Sequence, residues 1–138
     1  MPPSSDSLAV VFEGWEGYRQ SIMHAVAPLT PEQLLWRPAA HLRSVGELVR
    51  HIALGPIGWF LWMDAPGSRE LAGRITAWEA DADGNRYVIE AAIDIAEQAG
   101  ELVKWLDASG KMIADTLQAW TVADLQKSYQ PSWNGNTY

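Results

Sequence analysis

Residues 29–52 read LTPEQLLWRPAAHLRSVGELVRHI, and the punctuation inside this stretch decides how the chain folds. Thr30 followed by Pro31 and, three residues on, Gln33 is a helix start: a capping side chain, a proline in the first helical position and a residue able to return the capping bond. Arg37-Pro38 ends that short turn, because the ring of a proline disfavours helical backbone at the residue before it. Ser44 then opens a second, longer helix, with Glu47 as the reciprocal partner of a capping box. Val45, Leu48, Val49, Ile52 and Phe60 form its apolar stripe. Glu47, His51, Gly55, Trp59 and Trp62 lie along a neighbouring stripe, so His51 sits at the edge of the buried face with a glycine one turn away. Pro56 lacks the amide that would bond the Ile52 carbonyl, which predicts a kink or break between Ala53 and Pro56.

Outward from this segment the pattern stays helical. From about Ser7 to Val26, Leu8, Val11, Phe12, Trp15, Tyr18, Ile22 and Val26 recur at three- and four-residue spacing, the mark of one amphipathic helix. From about Glu97 to Trp120 a third stripe runs through Leu102, Trp105, Leu106, Met112, Ile113 and Leu117. It persists despite Gly110, which costs roughly 1 kcal/mol relative to Ala inside a helix. Thr121 to Asp124 can cap a further turn. The stretch from Asp64 to Asp94 is rich in Asp, Gly and Ala and is expected to be a long connection with one helical turn. Asn134-Gly135 is a hairpin-type signal near the end. No strand-period segment is long enough to build a sheet.

Composition excludes several classes. The 138 residues suit a single domain, 1–138. Seventeen acidic against ten basic side chains give a net charge of −7, with Lys and Arg scattered, so no footprint for a phosphate backbone exists and nucleic acid is not an expected partner. The absence of cysteine removes disulfides, thiolate metal sites and cysteine nucleophiles. No stretch approaches the roughly 18 apolar residues of a membrane span, and MPPSSDS has no basic region leading into an apolar run. A cytoplasmic protein without membrane association is expected.

Three helices with wide apolar stripes need a fourth surface to cover them, and a four-helix bundle is the natural closed solution. Here the sequence resembles the DinB/YfiT-like superfamily. LTPEQLLWRP is similar to the loop after that family's first helix, SVGELVRHI to the start of its second, and LDASGKMIADTLQAWTVADL to its third helix and the turn that follows. The resemblance implies an all-α, up-down-down-up bundle with a long crossover between its second and third helices, of which this chain supplies about three long helices plus short turns. It also implies that the last, histidine-bearing helix has no counterpart here, and that a homodimer forms.

The same resemblance makes His51 the first of three metal-binding histidines, with a divalent ion such as Zn or Ni. It implies metal-dependent chemistry on a small molecule: transfer of a thiol cofactor, hydrolysis or isomerisation, as a transferase or hydrolase of unassigned substrate. Read from the residues alone, a lone histidine on a helix edge is more often a surface or hydrogen-bonded group. A catalytic site wants about three protein ligands and an open position, and this chain matches one, so no metal is expected to bind tightly to it alone. His24 and His41 match no family ligand. Glu47 is either a cap or a partner standing behind the His51 ligand. Trp59 and Trp62 are pocket walls, or else core or dimer surface. The alternative reading is a non-catalytic helical module for dimerisation or partner binding.

Overall fold

A computed structural model describes residues 6–129. The chain opens with α1, Leu8–Val11, capped by the Ser7 hydroxyl, which accepts from the Ala9 amide at 3.2 Å and donates to the Leu117 carbonyl at 2.9 Å. The Leu8 amide bonds the Trp120 carbonyl at 2.9 Å, so the start of the fold is pinned to the end of the last long helix. The expected single helix from Ser7 to Val26 is therefore two pieces: the chain leaves helical geometry at Phe12 and restarts at Gly14 as α2, Trp15–Val26. The cause is legible in retrospect, since Gly14 and Gly17 weaken helical continuity while Ser7 and Leu8 are tied elsewhere.

Then come α3, Pro31–Leu35, and α4, Val45–Trp62, each starting in a complete capping box. At α4 the Glu47 amide donates to Ser44 Oγ at 3.1 Å and the Ser44 amide donates to Glu47 Oε2 at 2.8 Å. Of the kink or break expected at Pro56, the break does not occur: α4 runs through Pro56 without interruption. Pro56 and Ile52 both line an open groove rather than the core, so the carbonyl that loses its amide partner lies where water can reach that side of the helix.

After α4 the connection holds α5, Ser68–Ala72, then a small antiparallel hairpin of β1, Trp78–Ala80, and β2, Arg86–Val88, in register Trp78 with Val88 and Ala80 with Arg86. The expectation of no sheet at all is corrected to this extent. Two three-residue strands are held by their turn: the Asp81 carboxylate accepts from the Asp83 and Asn85 amides at 3.0 and 2.9 Å, and Gly84 supplies a φ of 84°. A 3-10 turn at Glu90–Ala92 leads to α6, Ala99–Ala119, and a second 3-10 turn, Val122–Gln126, starts in a Thr121–Asp124 capping box. The Asn134-Gly135 signal lies outside the described residues.

The fold is all-α in character: α6 is the spine against which α2 and α4 both pack, with the hairpin laid on the flank of α4. The core centres on Leu34, Leu54, Ile57 and Leu102, none of them exposed. The buried face of α4 is Gly46, Val49, Ala53, Leu54 and Ile57, rotated from the expected stripe, and Leu48 (49% exposed) and Ile52 (37%) lie outside it. Over the first two helices the stripe narrows likewise: Val11, Phe12 and Tyr18 are exposed, and Leu8, Met23 and Val26 are the buried residues. Gly110 has a structural use. Its missing Cβ leaves the seat for the aliphatic part of Arg19, whose guanidinium bonds Glu16 and Asp107, while Trp15 Nε1 donates to the Gly110 carbonyl at 3.2 Å.

Candidate functional site

Four residues of the stripe predicted beside the core of α4 come together as one wall of a cleft of about 530 Å³: His51, Gly55, Trp59 and Trp62. Leu54, fully buried, reaches the same space from the core side. The opposite wall is the hairpin, through Arg86, Tyr87 and Val88, continued by Glu90 of the following turn. Trp59 and Trp62 meet edge to face with ring centroids 5.9 Å apart. Trp59 and Trp62 thus stand side by side on the helix wall of the cleft, and the other half of the cleft comes from the segment read as a long connection with one helical turn.

The His51 ring lies over Gly55: a Cβ there would stand 3.8 Å from Cε1 and 3.9 Å from Nδ1, ordinary contact distances. His51 Nδ1 is 2.8 Å from Glu90 Oε1. A carboxylate can only accept, so the neutral imidazole carries its proton on Nδ1 and leaves the Nε2 lone pair free. Glu90 was invisible to sequence reasoning. It lies 39 residues away along the chain, and only the Asp83-Gly84 dipeptide hinted at the hairpin that returns the chain to His51.

Glu47, the sequence candidate for a partner behind His51, is engaged elsewhere. Besides its capping bond it accepts from both terminal nitrogens of Arg37, each at 2.6 Å, and these two hydrogen bonds, followed by that from the Ser44 amide, hold its carboxyl down at about 2. This carries a pH prediction. A folded value below the ordinary 4.5 means that ionised Glu47 contributes its full stabilisation above about pH 4.5 and loses it as the pH falls toward 2. Glu47→Gln should therefore lower Tm near neutral pH, with the gap to wild type closing through that acid window. A gap independent of pH would contradict the assigned ion pair.

Among the described residues no group of three or more His, Cys, Asp or Glu is placed to hold a metal ion. The flanking stretches MPPSS and QPSWNGNTY contain none of these residue types. His24 and His41 are exposed and line neither cleft. Among the described residues His51 is the one histidine that lines the cleft.

His51, Gly55 and Trp59 also border a second groove of about 480 Å³, between α2, α4 and α6, whose apolar lining includes Tyr18, Ile22, Ile52 and Phe60. Among the described residues no helix is long and apolar enough to cross a membrane.

The mostly helical architecture is consistent with the family that the sequence matches. The chain belongs to the DinB superfamily, whose family model matches residues 15–137. Neither the curated proteins nor the solved structures contain a match to it.

Proposed function

We propose that the cleft beside His51 is a small-molecule site, and that His51 serves there as one ligand of a divalent transition ion, Zn²⁺ or Ni²⁺, with the remaining ligands supplied from beyond these residues. Thiol transfer, hydrolysis or isomerisation of a small substrate is the chemistry that membership of this superfamily favours. The observation that carries the reading is the 2.8 Å contact between His51 Nδ1 and Glu90 at the mouth of an apolar cleft. Carboxylates paired to the far nitrogen of an imidazole fix the ring and raise the basicity of the nitrogen left to coordinate. Two tryptophans and Leu54 give the apolar surface that small-molecule sites use for affinity, with few polar groups to set orientation.

The test is a titration with Ni²⁺ followed by NMR and calorimetry. Paramagnetic broadening should reach His51 and Glu90 before His24 or His41, and His51→Ala should remove it. Calorimetry on this chain should give weak binding without defined stoichiometry, since one imidazole falls short of the usual three ligands. Broadening led by His24 or His41 would end the assignment of His51, and one tight site per chain abolished by His51→Ala would show that the chain completes the site itself.

A further inference from the structure

We infer that the ligand of the His51 cleft is an aromatic anion: a flat apolar body lying against Trp59 and Trp62, with a carboxylate or comparable acidic group held by Arg86. The inference deepens the proposal of a small-molecule site and rests on it. Three charged side chains other than His51 line the cleft: Asp81, Arg86 and Glu90. Both carboxylates have fixed internal partners. Asp81 accepts from the Asp83 and Asn85 amides and from the Asn85 side chain, and so holds the hairpin turn. Glu90 accepts from His51.

Arg86 differs. Its guanidinium lies 4.9 Å from the Trp78 ring centroid and forms no ion pair among the described residues. A cation stacked on an indole face is positioned by the ring but keeps its in-plane N–H donors, the geometry that takes a carboxylate through two parallel bonds. The pairing of Ala80 with Arg86 and of Trp78 with Val88 puts Arg86, Trp78 and Val88 on one face of the hairpin. Arg86 and Val88 line the cleft, facing α4. On the helix side Gly55 and Gly58 add no side chain, and Leu54 and Leu61 line the wall beside the two indoles, an apolar surface that suits a flat aromatic body.

Two neutral-versus-anionic probes of the same shape test this: 2-naphthoate and 2-naphthamide, measured by calorimetry on the full chain in the presence of a metal chelator. Wild type should bind naphthoate about tenfold more tightly than naphthamide, the size of one charge-assisted contact at a partly exposed site. Arg86→Gln should abolish that preference while leaving naphthamide binding within about twofold. Trp59→Ala should weaken both probes together. Should Arg86→Gln also lose naphthamide through damage to the hairpin, Arg86→Lys decides: retained preference for the anion supports the inference, and lost preference overturns it. Equal affinity of wild type for the two probes overturns it as well. The chelator keeps this outcome separate from the metal proposal, which the Ni²⁺ titration alone decides.

Discussion

Gly46→Ala is expected to destabilise the fold by about 3 kcal/mol, the upper range of overpacking costs. A Cβ at this position would overlap the carbonyl of Ala96 and come within 3.2 Å of the carbonyl of Leu34, both backbone atoms that cannot swing aside. The first turn of α4 is thus wedged between α3 and the segment leading into α6, and the absence of a side chain is what lets the three meet. Gly58→Ala on the same helix is the control. Nothing lies within 4 Å of its added Cβ, so removing a flexible glycine from a helix interior should be neutral or stabilise by up to about 1 kcal/mol. Urea midpoints report both. A Gly46→Ala midpoint equal to wild type would mean that α4 does not begin against the Ala96 carbonyl, and the placement of His51 one and a half turns later would lose its anchor.

A comparable loss is expected from Leu54→Ala, about 3 kcal/mol within the range for truncating a buried leucine and leaving a cavity. Leu54 is 0% exposed and packs in the core while its edge faces the His51 cleft. Leu48→Ala, six residues earlier, should cost under about 1 kcal/mol, because half of that side chain already faces outward. The two substitutions remove the same atoms from the same helix. Their difference therefore measures which face of α4 is core, and equal costs would restore the stripe through Leu48 and Ile52.

That pair also marks where the reading of the sequence stopped. Caps were legible because they are local: Thr30 with Gln33, Ser44 with Glu47 and Thr121 with Asp124 each need only side chains three residues apart, and all three boxes form. Helix faces were less so. Apolar periodicity places a stripe on α4 but cannot say which of two adjacent stripes is buried, and Gly46 and Ala53, which score as weakly apolar, turned out to lie on the buried one. The stripe bearing His51, Trp59 and Trp62 was legible as a unit because it needed only helical spacing. Its opposite wall was not. The hairpin is too short for strand periodicity to register, and the pairing of His51 with Glu90 depends on the path of a connection rich in Asp, Gly and Ala.

The account stands on His51 being held by Glu90 with its second nitrogen free at the cleft. The direct measurement is the nitrogen-15 spectrum of the His51 ring at mildly alkaline pH, where the two tautomers of a neutral imidazole differ plainly in shift and coupling. The expected result is a protonated Nδ1 and an unprotonated Nε2, with that preference weakened in Glu90→Ala. A proton resting on Nε2 in the wild-type chain, or a tautomer unchanged by Glu90→Ala, would contradict it.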